Sequence, residues 1–379
     1  MATNYAASGS LAVAMAVGNI FASIMLYKVR TVQVADIDNI CSASDYVGHR
    51  IITLILALLF CSVYSVFTVN AIDYAPVAAY ILFKAIESFV DVLHGVDQKN
   101  DHFNYIGISQ ISRGILIVIS FIVGLLIFQS LTVSILLMAL TSAIVLIVFD
   151  MNLTSKLDKL RPVFRKEKMK VIFSKSTSGF FSLLICTTVI SVIRQMFSME
   201  YGNEALGSYA AIAAPTVIVQ AAASFIYTPL IGPLAISWLK SDRLSFLKIV
   251  LKFIIVLIVI VLACILIFHW FGLVAFNFVF QKDMSEYMYL VTPLLICTGL
   301  TAAVYFVLDL LIITEENTGA VVSSVASLIA AFCVMNAMFE LAGANGISFS
   351  IIIAQIVNLL VATVFLIWRI LRKNENKHG

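Results

Sequence analysis

Runs of about 20 apolar residues recur along most of this chain, and one strongly basic stretch interrupts them. A helix needs roughly 20 apolar residues to cross a hydrocarbon core ~30 Å thick, so each run can span a membrane. Eleven such runs are predicted, near Ser8–Leu26, Ile51–Val69, Tyr74–Gly95, Tyr105–Phe128, Leu131–Phe149, Ser176–Phe197, Ala205–Thr228, Ile249–Phe268, Tyr287–Ile313, Gly319–Phe339 and Ile347–Trp368. The interruption is Met151–Lys175, with eight Lys or Arg against two acids. Such a segment does not enter a bilayer, and Lys and Arg beside spans stay on the cytoplasmic side. It divides the chain into an N-terminal lobe of five spans (1–150), a basic cytoplasmic linker (151–175) and a C-terminal lobe of six spans (176–379).

Composition excludes the other fold classes. Only 12% of residues are charged and 61% are hydrophobic, whereas about a quarter of a soluble domain is charged. The short alternating segments that a transmembrane barrel requires are missing. The expectation is an all-α polytopic membrane protein. With the linker inside, alternation places Lys28, Arg30, Arg50, Lys99, Lys240, Arg243, Lys248, Lys252, Arg369, Arg372, Lys373 and Lys377 on the same side. With the linker's own residues that makes 20 of 24 bases. Only Lys282 falls outside, and Lys84, Arg113 and Arg194 fall within spans. The expected topology puts the C-terminal tail and Cys41 in the cytoplasm and 200–204 outside. The connection His269–Glu286 reads as a partly interfacial outer loop.

The second lobe has one span more than the first. Gly9-Ser10-Leu11-Ala12 opens the first span and Gly207-Ser208-Tyr209-Ala210 opens the seventh, a hint of an internal repeat. Paired repeats are a recurring transporter plan. On that match the first helix of a twelve-helix arrangement is expected upstream of Met1.

Enzyme signatures are missing: the sequence has no GxxxxGK[ST], GxGxxG, HExxH or GxSxG. No cofactor, metal or catalytic residue is expected. Of the six cysteines, Cys61, Cys186, Cys264, Cys297 and Cys333 fall in apolar runs and read as small buried hydrophobes, and Cys41 lies outside them. Function is therefore sought among the polar residues within spans, where ionisable groups are costly unless paired or facing water. Lys84, Glu87 and Asp91 lie three and four residues apart, on one helical face. They form either a self-neutralising Lys84–Glu87 pair or a charged stripe along a cavity. Arg113 lies some 12 Å into its span at ~1.5 Å per residue, either snorkelling or facing the cavity. Arg194 has the same alternatives near the outer end of the sixth span. Asp309 reads as facing the headgroups, and Gln110, Gln220, Gln355 and Asn358 as interhelical glue. Pro215 and Pro293 interrupt spans and permit bending.

The stretches from Tyr27 to Thr53 and from Gln98 to Gly114, the basic linker, and YGNEALGSYAAIAAPTVIVQAAASFIYTPLIGPLA (201–235) resemble Wzx-type polysaccharide flippases. The resemblance implies the multidrug/oligosaccharidyl-lipid/polysaccharide exporter superfamily, with two six-helix lobes. It also implies transfer of an undecaprenyl-diphosphate-linked oligosaccharide between leaflets by alternating access, for surface polysaccharide such as capsule or lipopolysaccharide. A polysaccharide polymerase and glycosyltransferases would be its partners, and no nucleic acid. A diphosphate would meet basic groups in the cavity, whereas a drug exporter of the same superfamily would favour acids. A membrane polymerase or ligase would need a sizeable outer loop, and the outer connections here are short.

Overall fold

The computed structural model describes residues 5–281 and 283–378, almost entirely as helix. Lys282, the one base expected outside, lies beyond the described residues. In chain order the helices are α1 (Tyr5–Leu26), α2 (Val29–Ala35), α3 (Ala43–Thr68), α4 (Tyr74–Lys99), α5 (Phe103–Val123), α6 (Leu131–Val145) and α7 (Met151–Thr154). They continue as α8 (Lys166–Tyr201), α9 (Asn203–Tyr227), α10 (Ile231–Leu239), α11 (Arg243–Phe280), α12 (Val291–Ile313), α13 (Asn317–Ala342) and α14 (Asn345–His378). Among the described residues, ten stretches are long and apolar enough to cross a membrane. The eleventh expected span is α4, whose charges lower its hydropathy. The chain is a multi-pass membrane protein.

Helix starts follow local chemistry. Ser42 and Asp45 form a reciprocal capping box at α3, with Ser42 N donating to Asp45 Oδ2 at 2.8 Å. Asp242 caps α11 by accepting from Ser245 N at 3.1 Å, and those hydrogen bonds hold its carboxyl below the usual range. Consecutive left-handed residues Tyr27 (φ 47) and Lys28 (φ 55) break the chain between α1 and α2, and α2 then packs on α4. At Gly124 an added Cβ would meet Ser134 Cα at 2.6 Å, so only glycine permits this approach of the turn after α5 to α6.

Contacts divide the chain into two compact units, Met1–Phe180 and Phe181–Gly379. In the first, α1 packs on α3 and α4, α4 also packs on α3, α5 and α6, and α5 packs on α6. In the second, α9 packs on α11 and α12, α12 also packs on α11, α13 and α14, and α13 packs on α14. The two packing patterns match helix for helix when α1 is paired with α9 and α4 with α12. This is the pairing that Gly9 and Gly207 suggested.

Several expectations need correction. The basic linker is half helix: Lys166–Lys175 forms the first turns of α8, whose 36 residues extend about 54 Å at ~1.5 Å per residue. Its irregular part is docked on the start of α3. Val163 N donates to Ser44 O at 3.1 Å, Ser44 Oγ to Lys159 O at 2.8 Å, and Arg165 Nε to the fully buried Asp45 at 2.8 Å. That carboxylate raises the Arg165 guanidinium above its ordinary value. The expected outer loop after Phe268 is also largely helix, because α11 runs on to Phe280. Pro293 sits in the first turn of α12, where a missing N–H costs no helical bond, so Pro215 alone interrupts a helix. Asp309 is buried within the second unit rather than facing headgroups. Of the five cysteines in apolar runs, Cys61, Cys186 and Cys297 are buried, Cys264 is half-buried and Cys333 is exposed. Cys41, outside those runs, is buried.

Candidate functional site

The charged stripe of α4 faces the interior of the first unit and is longer than the sequence pattern indicated. Lys84, Glu87 and Asp91 continue through His94 and Asp97 at helical spacing. Beside them lies a cavity of about 210 Å³, lined by Arg30, Lys84, Glu87, Asp91, Gln110 and Arg113 among others.

Of the two readings of the stripe, the Lys84–Glu87 pair does not form among the described residues. Glu87 instead accepts from Arg113 Nη1 of α5 at 2.8 Å and from Ser142 Oγ of α6 at 3.2 Å. Two arginines converge on Asp91: Arg50 Nη2 at 2.9 Å and Arg30 Nη1 at 3.4 Å. Arg30 also donates through Nε and Nη2 to Gln98 Oε1 at 3.2 and 3.1 Å. Lys84 makes no ion pair among the described residues. Its ammonium sits 5.6 Å from the Tyr80 ring centroid and 5.4 Å from that of Phe83, within cation–π range. The cluster therefore holds four bases (Arg30, Arg50, Lys84, Arg113) against two acids (Glu87, Asp91). Its excess charge is positive.

Farther along α4 the polar groups are sealed from solvent. His94 Nε2 lies 3.6 Å from Asp150 Oδ1, both buried, and Thr154 Oγ1 donates to Asp97 Oδ1 at 2.8 Å. A π-helical turn over Leu146–Asp150 brings Asp150 to this place.

The five residues selected from sequence thus separate. Lys84, Glu87, Asp91 and Arg113 share one cavity. Arg194 belongs to the second unit, half-buried, with its Cζ 6.0 Å from the Tyr209 ring centroid. Its Nε is buried and has no hydrogen-bond partner in the described structure. Tyr209 in turn hydrogen-bonds Ser348 at 3.0 Å. Gln355 and Asn358 do act as interhelical glue, donating to Thr301 Oγ1 at 3.3 Å and Cys186 Sγ at 3.5 Å. Gln110 lines the cavity instead.

Sequence reasoning missed Arg30, Arg50, His94 and Asp150. Arg30 and Arg50 read as cytoplasmic loop charges because they flank the first two apolar runs. Arg50 is in fact only 1% exposed, about two turns inside α3 at ~3.6 residues per turn. The capping box of Ser42 and Asp45 upstream was the available signal that α3 begins at Ala43.

No protein-family profile matches the sequence, and no curated protein matches it. Solved structures do resemble the fold. The Vibrio cholerae MATE transporter VcmN in its bent form superposes with a TM-score of 0.75 at 11% identity, over 97% of this chain and 89% of that one. An outward-facing multidrug resistance MATE family transporter of the MOP superfamily gives 0.72 at 15% identity, over 99% and 88%. An inward-facing conformation of a multidrug resistance MATE family transporter gives 0.61 at 15%, over 98% and 91%. The chain has the two-lobed, all-helical fold of the MATE exporters.

Proposed function

We propose that this chain is a transporter that moves an undecaprenyl-diphosphate-linked oligosaccharide from the inner to the outer leaflet of a bacterial cytoplasmic membrane. The MATE-like fold supports transport. The sign of charge in the first unit favours a phosphate-bearing cargo. Four bases meet two acids there, and among the described residues Lys84 has no acidic partner. An anionic diphosphate entering this cavity gains charge-assisted hydrogen bonds from Lys84, Arg113 and Arg30. A cationic drug gains nothing comparable, because Glu87 and Asp91 are already held by arginines. Arg194, in the second unit, is a separate basic candidate. The topology accompanying this reading puts the linker and the C-terminal tail in the cytoplasm.

Removing one such contact loses about 1.5–3 kcal/mol, or roughly 10- to 150-fold in cargo affinity at 1.4 kcal/mol per decade. Lys84→Gln, Arg113→Gln and Arg194→Gln are to be expressed in a flippase-deficient strain, with surface polysaccharide measured against protein level. Loss of polysaccharide at normal protein level supports the site. Normal polysaccharide in all three refutes it. Unchanged polysaccharide with reduced resistance to a cationic dye points to drug export instead.

A further inference from the structure

A second charged cavity lies in the other unit, at the end carrying the last turns of α14. It measures about 400 Å³ and is lined by Trp238, Glu315, Arg369, Arg372 and Lys373. Among the described residues three bases face one acid there, an excess of positive charge. The bases come from consecutive turns of α14, Trp238 from α10, and Glu315 from the tight turn between α12 and α13, where its φ is 57°. The bases are held in place rather than loose. Arg369 Nε donates to Thr314 O at 3.0 Å, Lys373 Nζ donates to Trp238 O, and its ammonium sits 4.0 Å from the Trp238 ring centroid. Arg372 Cζ stands 5.1 Å from the Trp368 ring centroid. A guanidinium that spends one N–H on Thr314 keeps its other donors for an oxyanion.

The surroundings say where that oxyanion is carried. Trp238 and Trp368 mark this level as a membrane interface, where tryptophan rings concentrate. On the apolar side of Arg372, α14 presents Leu360, Val364, Ile367 and Leu371, all exposed and spaced three to four residues apart. Leu244, Leu247 and Leu251 form a similar exposed ridge on α11, and Leu247 lines the crevice that adjoins Lys373. A fixed cationic seat, framed by aromatic rings and flanked by exposed apolar ridges, matches a phosphodiester headgroup with its acyl chains alongside. We propose that this cavity binds the headgroup of an anionic phospholipid. The proposal stands independently of the transported cargo, since none of these residues belongs to the cavity beside α4.

Of the three tryptophans, Trp238 lines the site and Trp368 stands against its Arg372, so the protein carries its own reporter. The full chain bearing Trp270→Phe is reconstituted in phosphatidylcholine vesicles. A minor fraction of lipid is then replaced by brominated phosphatidylglycerol or brominated phosphatidylcholine. The anionic lipid is expected to quench more strongly, with a several-fold preference. Each basic residue near the interface contributes about fivefold, equivalent to ~1 kcal/mol. Arg372→Gln, an exposed position, should reduce the preference about fivefold, and the variant with Arg369, Arg372 and Lys373 all changed to Gln should abolish it. Lys248→Gln/Lys252→Gln on α11 should leave it unchanged. Equal quenching by the two lipids overturns the proposal, as does a preference that survives Arg372→Gln but is lost in Lys248→Gln/Lys252→Gln. Relief of quenching by added glycerol phosphate would make a soluble phosphate the ligand and overturn the lipid assignment. If the triple variant fails to fold, Arg372→Gln alone decides the matter.

Discussion

The two units place corresponding helices, α4 and α12, at their centres and fill them differently. Around α4 lie Arg30, Arg50, Glu87, Asp91 and Arg113, joined by ion pairs across α2, α3, α4 and α5, with Lys84 and the His94–Asp150 contact beside them. Around α12 the interior is mostly apolar, with Ile193, Phe197, Ile212, Val219, Leu294 and Leu295 in one cluster. Its polar contacts are chiefly neutral: Gln355 with Thr301, Asn358 with Cys186, Tyr209 with Ser348. Equivalent helix packing therefore carries two chemistries. In lipid, packing of helices requires only shape and a few neutral hydrogen bonds, as the second unit illustrates. The charges of the first unit are more than packing needs, which is why its cavity is the better candidate for cargo.

The comparison breaks first at Asp91. Asp91→Ala leaves the buried Arg50 without its carboxylate, and breaking a buried pair costs about 3–5 kcal/mol. A sharp fall in thermal unfolding midpoint is expected in detergent, with partial recovery in Asp91→Ala/Arg50→Met. A midpoint within error of the parent protein would mean the ion pairs contribute little to the first unit. Next comes Gly48, where an added Cβ would meet Val163 O at 2.2 Å. Gly48→Ala should cost about 1–3 kcal/mol by forcing the linker from α3. Gly207 has open space around it, so Gly207→Ala should stay within about 0.5 kcal/mol.

The neutral contacts of the second unit are expected to matter least. Interhelical hydrogen bonds of this kind average about 0.6 kcal/mol. Asn358→Leu and Gln355→Leu should each shift stability by no more than that, since the oxygens of both amides are buried without partners. A loss approaching that of Asp91→Ala would erase the distinction between the units. The smallest effect is chemical. Cys41 is buried, and burial with the charges of Asp36 and Asp45 pushes its thiol up. It should react slowly with maleimide even in permeabilised membranes, so native Cys41 reports packing rather than sidedness. The exposed positions Arg161 and Glu200 serve better. Arg161→Cys should label only after permeabilisation, and Glu200→Cys in intact cells.

Hydropathy and charge alone determined the fold class and the succession of long apolar helices. Those properties follow from what a bilayer tolerates, and the tolerance acts on each segment separately. The stripe Lys84, Glu87, Asp91 was readable for the same reason, since helical spacing puts it on one face whatever surrounds the helix. Pairing is another matter. Nothing local distinguishes Lys84 from Arg113 as the partner of Glu87, because that choice depends on how close α5 comes to α4. The sequence placed Arg50 among loop charges, and only the fold of α1, α3 and α4 around one another buries it against Asp91. Arg369, Arg372 and Lys373 likewise read as an ordinary basic tail, until α10 and the turn before α13 supply Trp238 and Glu315 and make a cavity of them. Solvent preference is a property of each residue, whereas an ion pair or a cavity is a property of distances between helices, which tertiary packing sets.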